Sequence, residues 1–374
     1  MSATNGQRIK VLSVFGTRPE AIKMAPVISA LMARPEVFDS RVCVSAQHRD
    51  MLDQTLRLFE IAPDHDLDIM YENQSPTRVA AAVLSRLEAV LNDEKPDWLL
   101  IQGDTTTAAT AALAGFHARV RISHVEAGLR TRDKWQPFPE EMNRRIVSLL
   151  SDLHFAATEG ARRNLLDEGI AAERIVITGN PVIDALRLML SRPPPAEIAA
   201  LLRPDQKLIL VSAHRRENFG GPLENICRAL RNIAQRYDQA HILYLVHENP
   251  NVREPVRRLL AGVPNITLLS PVDYLSLVHL ASNCYMVVTD SGGLQEECPS
   301  LGKPVLVLRN ITDRPEAVDE GLARVIGVDS DTIVAEISRL LDERRMHESM
   351  SERIDLFGDG HASSRILEAL IESS

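Results

Sequence analysis

Short apolar, β-branched runs recur along this chain, each ending in a turn and followed by a segment with helical spacing. Lys10 to Phe15 is the first. It breaks at Gly16-Thr17-Arg18-Pro19-Glu20, and Ala21 to Met32 then repeats apolar residues at Ile22, Ala25, Ile28 and Leu31. Arg41 to Ser45, Trp98 to Ile101, Ile122 to Val125, Leu153 to Ala157 and Arg174 to Thr178 continue the pattern. Runs that are apolar throughout, rather than alternating, belong to strands buried on both faces. Strict strand–helix alternation with short turns specifies a parallel, doubly wound α/β sheet.

After Gly179-Asn180-Pro181 and one more helix comes Arg192-Pro193-Pro194-Pro195, the most linker-like stretch of the sequence. The alternation then restarts with Leu208 to Ser212, Ile242 to Val246, Ile266 to Leu269, Tyr285 to Thr289, Val305 to Leu308 and Val325 to Ile326. Two Rossmann-like domains around a central cleft are expected. Residues 1–190 form the first, joined by a C-terminal helix within 362–374, and residues 191–361 form the second. A length of 374 residues suits two such domains.

Composition narrows the function. The formal charge of −9, with no compensating basic stripe, argues against nucleic acid. No apolar run approaches the roughly 20 residues that span a bilayer, and Met1 to Arg8 lacks the apolar segment of a signal peptide. Cys43, Cys227, Cys284 and Cys298 lie mostly in apolar segments without C-x-x-C spacing, which reads as reduced core thiols in a cytoplasmic protein.

In open parallel sheets, ligands bind beyond the carboxyl ends of the strands. The turns at those ends carry Arg18, Glu20, Asp104, Glu126 and Arg130, with Glu140 and Glu141 near a later helix start. The second domain adds His214, Arg215, Arg216, Glu217, His247, Ser291, Gly293, Glu297 and Arg314. Singly, each has a plainer reading: Asp104 before three threonines is a good N-cap, and His214 is a hydrogen-bonded turn histidine. Thr289-Asp290-Ser291-Gly292-Gly293-Leu294-Gln295-Glu296-Glu297 reads as strand, turn and helix start, with the helix from Leu294 to Leu301. Such a turn offers backbone N–H groups at a positive dipole end, suited to a diphosphate, although alone it is equally a turn that binds nothing. Coincidence at so many strand ends points to a shared site between the domains.

Several chemistries lose support. There is no G-x-x-x-x-G-K-[ST], no G-x-G-x-x-G after the first strand, no H-E-x-x-H and no G-x-S-x-G. What remains is an anion cradle, several carboxylates and a placed histidine, which suit proton transfer coupled to departure of a diphosphate.

The motifs together resemble the non-hydrolysing UDP-N-acetylglucosamine 2-epimerases. The matching pieces are Phe15-Gly16-Thr17-Arg18-Pro19-Glu20-Ala21-Ile22-Lys23, Ala46-Gln47-His48, Gly103-Asp104-Thr105-Thr106 and His124-Val125-Glu126-Ala127-Gly128-Leu129-Arg130. They continue with Pro139-Glu140-Glu141-Met142-Asn143-Arg144, Thr178-Gly179-Asn180, His214-Arg215-Arg216-Glu217-Asn218, the Asp290 to Glu297 stretch and Arg314-Pro315-Glu316-Ala317. The resemblance runs from about residue 9 to about residue 371 without large gaps. It implies the glycosyltransferase-B architecture and interconversion of UDP-N-acetylglucosamine and UDP-N-acetylmannosamine through UDP and 2-acetamidoglucal. No metal and no cofactor are implied, and a homodimer is.

By resemblance, Asp104, Glu126 and Glu140 transfer protons and His214 assists the departing diphosphate. Arg18, Lys23, Ser291, Gly292, Gly293, Glu297 and Arg314 match positions that contact the UDP-sugar. Gln47, His48, Arg215 and His247 match a second, regulatory nucleotide-sugar site of bacterial members. Val272 and Leu277 depart from relatives with Gln and Phe there, and Asp50 and Asn73 stand at positions that vary. A glycosyltransferase on the same fold, a hydrolysing epimerase, an epimerase of a related UDP-diacetamido sugar and a non-catalytic UDP-sugar sensor are the competing readings. The three carboxylates are superfluous for the first and the last of these.

Overall fold

A computed structural model describes residues 8–46, 49–71, 74–203, 205–312 and 314–374. The chain divides into two compact units, Met1–Ala185 with Phe357–Ser374, and Leu186–Leu356.

The first unit is built on seven strands: β1 (Ile9–Phe15), β2 (Phe38–Val44), β3 (His65–Asp66), β4 (Trp98–Gln102), β5 (Arg121–Ala127), β6 (Leu153–Ala156) and β7 (Ile175–Ile177). Their order is β3-β2-β1-β4-β5-β6-β7 and every pairing is parallel. The order reverses between β1 and β4, where Val11 pairs with Trp98. The crevice of this unit therefore opens beyond Phe15 and Gln102.

Its helices begin where the side chains dictate. Ser75, Thr105 and Thr158 accept the N–H three residues on and so start helices Pro76–Glu94, Thr106–His117 and Glu159–Asp167. The Ala-rich helix Thr106–His117 packs close to the sheet. A Cβ on Gly115 would meet Leu99 Cδ2 at 2.6 Å. Leu12, Val14, Val83, Leu87, Leu99, Ile101 and Val147 belong to the core on that side. The last helix, Ala362–Glu372, packs on Arg18–Met32 and is started by Asp184, which accepts from Ala362 N at 3.2 Å and Ser363 N at 2.9 Å.

The second unit has six parallel strands: β8 (Lys207–Ser212), β9 (Ala240–Leu245), β10 (Ile266–Leu269), β11 (Met286–Thr289), β12 (Val305–Val307) and β13 (Ala323–Val325). Their order is β10-β9-β8-β11-β12-β13, so the reversal lies between β8 and β11. Its core gathers Ile209, Val211, Ile226, Leu230, Tyr244, Val288 and Leu340.

The doubly wound α/β class expected from the alternation holds in both units. Element bounds differ in places, and three of the differences matter here. The two-residue strand β3 has no apolar run to announce it, β2 starts three residues earlier than read, and helix Gly292–Ser300 takes in both glycines assigned to a turn. All four cysteines are buried and unbridged, and burial pushes the thiols of Cys43, Cys227 and Cys284 up to about 12. Among the described residues no helix is long and apolar enough to cross a membrane.

Candidate functional site

At the reversal point of the first sheet the chain leaves β1 through Gly16. A Cβ there would meet Ser45 Oγ at 1.9 Å and Thr107 Oγ1 at 2.9 Å, so close approach demands glycine. Glu20 locks the turn: its Oε2 accepts from Gly16 N at 3.0 Å and Thr17 N at 2.8 Å, while Thr105 Oγ1 donates to Oε1 at 2.6 Å. Glu20 is thus spent on tying the β1 turn to the β4 turn. Burial pushes its carboxyl above the usual range. Arg18 opens the helix that follows, half-buried.

Asp104 follows β4. Gly103 before it sits at φ +70° and its carbonyl accepts from the His124 ring at 2.8 Å. Burial lowers His124 to about 4, so near neutral pH the ring is uncharged and its Nε2–H makes that bond. Asp104 Oδ2 lies 2.6 Å from Arg144 Nη2, and Asn143 Nδ2 donates to the Asp104 carbonyl at 2.8 Å. Both partners come from helix Glu140–Leu150, which Glu140 opens. The neighbouring Glu141 is fully buried, accepting from Thr131 N at 3.0 Å and pairing with Arg145 at 3.0 Å. Of these two adjacent glutamates, Glu141 holds the loop and Glu140 remains half-buried at the helix start.

Glu126 sits on a register shift of β5 against β6, at φ +65°. A left-handed conformation costs a non-glycine residue of order 1–2 kcal/mol, and the bulge redirects its side chain. There the Lys23 ammonium pairs with Oε2 and Asn180 Nδ2 donates to the same oxygen at 2.8 Å. Asn180 is fixed in turn, donating its N–H to the Phe357 carbonyl at 2.6 Å.

The second unit has its own centre. Asp290, fully buried after β11, accepts at Oδ2 from His214 N, Arg215 N and Asn218 Nδ2, each at 2.9 Å. Arg215 Nε donates to the Asp290 carbonyl at 2.9 Å. The His214 ring stacks on His247, with centroids 5.4 Å apart, and burial pulls its pKa below the usual range. Helix Gly292–Ser300 starts beside it with Ser291 at the N-cap. Arg314 Nη2 and Arg215 Nη2 lie 3.8 and 3.9 Å from where a Cβ on Gly292 would stand, and Glu297 Oε1 lies 3.7 Å from one on Gly293. Two guanidinium groups, a helix N-terminus and a buried carboxylate thus surround the two glycines. Arg314 is anchored through Nε to Glu296, and Tyr274 Oη donates to Glu297 at 3.4 Å.

Each unit therefore gathers its own sequence-predicted residues around its reversal point. Lys23, expected on the diphosphate, pairs with Glu126; Arg130 is taken up by Glu168 through bonds of 2.7 Å. Gln47 and His48 lie outside the described residues, as does Asn73. Asp290, Asn180, Arg144 and Glu296 organise the site yet received no role from sequence. Among the described residues no group of three or more His, Cys, Asp or Glu is placed to hold a metal ion.

Comparison with known proteins identifies the family. The sequence profile described as UDP-N-acetylglucosamine 2-epimerase matches residues 30–371. The UDP-N-acetylglucosamine 2-epimerase of Yersinia pestis is 52% identical over 370 residues, covering 97% of this chain and 98% of its own. The crystal structure of UDP-GlcNAc 2-epimerase from Neisseria meningitidis, bound to UDP-GlcNAc, superposes with a TM-score of 0.93 at 45% identity, covering 97% of this chain and 100% of its own. Staphylococcus aureus MnaA, solved with UDP, gives 0.92 at 43% identity, with 98% and 96% covered. Two Rossmann-like units, as in glycosyltransferase-B proteins, are common ground. On sequence over nearly its whole length and on fold, this chain belongs to the UDP-N-acetylglucosamine 2-epimerase family.

Proposed function

We propose that the chain interconverts UDP-N-acetylglucosamine and UDP-N-acetylmannosamine by eliminating UDP across C1 and C2 and adding it back with C2 inverted. One observation carries the reading: a chain of this family keeps a carboxylate set beyond the first sheet and an arginine-and-amide cradle beyond the second. The C1–O bond breaks with its electron pair going to the β-phosphate oxygen. The electron-poor C1 acidifies the C2 proton, a carboxylate takes it, and the freed pair becomes the C1=C2 bond of 2-acetamidoglucal. Return of UDP to C1, with a proton delivered to the other face of C2, completes the exchange.

In this reading Asp104, Glu126 and Glu140 move protons, and His214 hydrogen-bonds the leaving oxygen. Arg18, Arg314 and the amides from Ser291 to Gly293 neutralise the diphosphate, a geometry suited to Arg forks and a helix N-terminus. Glu297 accepts from ribose hydroxyls. Gln47, His48, Arg215 and His247 take a second nucleotide sugar as regulator.

The chain works as a homodimer, a reading supported by the exposed stripe Met142, Ile146 and Leu149 on helix Glu140–Leu150, with Phe116 exposed on the preceding helix. A monomer mass by light scattering at working concentration removes that claim. The activity lies in the cytoplasm, in keeping with four buried, unbridged thiols, and supplies activated amino sugar for cell-surface polysaccharide. Proton NMR with UDP-N-acetylglucosamine in deuterated buffer tests the reaction. UDP-N-acetylmannosamine carrying deuterium at C2 is expected. Product that retains the C2 proton refutes the elimination, and free N-acetylmannosamine as main product favours a hydrolysing enzyme.

A further inference from the structure

The two oxygens of Asp290 are used unequally. Oδ2 is saturated by three N–H donors of the turn after β8: His214 N, Arg215 N and Asn218 Nδ2. Oδ1 is as deeply buried, has no hydrogen-bond partner among the described residues, and faces His214 Nδ1 at 3.4 Å. A buried carboxylate oxygen without a donor is costly, so its retention calls for a reason.

We propose that Asp290 is the positioning residue for His214: its Oδ1 takes the Nδ1–H as ligand arrives and holds the ring as an imidazolium, with Nε2–H toward the leaving β-phosphate oxygen. The inference rests on the role given to His214 above. The chemistry requires it. A neutral ring that donates Nδ1–H to Asp290 has only a lone pair at Nε2, which repels a phosphate oxygen. Donation from both nitrogens needs the charged ring.

The groups facing the ring are Asp290, Arg215 and His247. Burial, His247 and Arg215 disfavour the charge, and Asp290 favours it. In the resting protein burial prevails, and the ring titrates below its usual range. A diphosphate adds negative charge on the Nε2 side, while closing the 3.4 Å Nδ1–Oδ1 separation by about 0.5–0.7 Å makes a charge-assisted bond. No bond to His214 forms. The electron pair of the C1–O bond goes to the phosphate oxygen, and the ring proton is shared with it.

The test is the titration of the His214 ring by NMR, assigned by its absence in His214→Gln, with and without saturating UDP. In the native enzyme the ring pKa should rise on adding UDP. In Asp290→Asn the amide oxygen can still receive the turn while an NH2 group opposes Nδ1, and the rise should vanish. Asn218→Ala loosens the same turn but keeps Oδ1, and the rise should persist. A native ring that stays neutral at pH 7 with UDP bound overturns the inference. So does an Asp290→Asn ring that titrates as in the native enzyme, or an Asn218→Ala variant that loses the rise equally. The basic limb of the kcat profile should follow the ring, moving down by about one pH unit in Asp290→Asn. If the ring moves and the limb does not, the positioning stands and the role of His214 in UDP departure falls.

Discussion

Replacing Lys23 by methionine removes the counter-ion of Glu126 while keeping most of the stem. The side chains of Lys23 and Glu126 are 10% and 5% exposed, so neither charge is well hydrated. Breaking a buried pair by deleting one partner costs about 3–5 kcal/mol, mostly the burden of the charge left behind. Asn180 still donates to Glu126 Oε2 at 2.8 Å, which puts the expected loss near the lower end, about 3 kcal/mol. Glu126→Gln alone should cost a similar amount, since it strands the ammonium. The double variant carries no charge at either position, and its loss should fall short of the sum by about 2 kcal/mol. Both tryptophans, Trp98 and Trp135, lie in the first unit, so their fluorescence in urea follows that unit alone. A Lys23→Met variant within about 0.5 kcal/mol of the native protein, or additive losses, would refute the pairing argument. If Lys23 instead serves only the diphosphate, the loss should appear in UDP affinity with stability unchanged.

Three further outcomes follow from the same geometry. Burial lowers His124 to about 4 and His154 to about 3, against about 6.5 when unfolded, so below pH 6.5 the unfolded chain binds protons that the folded chain does not. Stability should therefore fall as pH drops from 6.5 toward 4, by up to about 1.4 kcal/mol per pH unit for each ring, with no contribution above 6.5; a urea midpoint equal at pH 7.5 and pH 5 contradicts this. Arg314→Ala should weaken UDP binding by about 1.5–3 kcal/mol in calorimetric titration, the scale of a charge-assisted hydrogen bond, and unchanged affinity removes Arg314 from the cradle. Gly179→Ala should cost at least about 1 kcal/mol, because φ is +81° and the new Cβ would stand 2.9 Å from Gly358 Cα; a thermal midpoint like the native one refutes that.

Much of the architecture was legible because parallel strands buried on both faces leave near-continuous apolar runs, such as Trp98 to Ile101 and Val11 to Phe15, the latter broken only by Ser13. Strand order is another matter. That β4 lies beside β1, bringing Thr105 to Glu20, depends on crossovers that leave no local trace. Gly292 and Gly293 were read as a turn because glycine is a poor helix former. They nonetheless begin the helix, where a Cβ on Gly292 would approach Arg215 and Arg314 and one on Gly293 would approach Glu297.

The carboxylates show where sequence reading of a site stops. Glu20, Asp104, Glu126, Glu140, Glu141, Asp290, Glu296 and Glu297 all lie in the motifs, and spacing cannot rank them. Their partners can. Glu20 and Asp290 are occupied by backbone N–H groups, and Glu141 and Glu296 by arginines, so substituting any of these strands buried donors. Asp104 and Glu140 keep exposed surface at the crevice end of the first sheet. Glu126 is buried but sits on a strained bulge against a lysine, and strain of order 1–2 kcal/mol persists only where surrounding contacts over-determine it. A proton-transfer group needs a defined orientation and a charge that its surroundings can compensate as it changes. Asp104, Glu126 and Glu140 carry the proton transfer in the reading proposed above, and the Lys23 that compensates Glu126 lies 103 residues away in sequence.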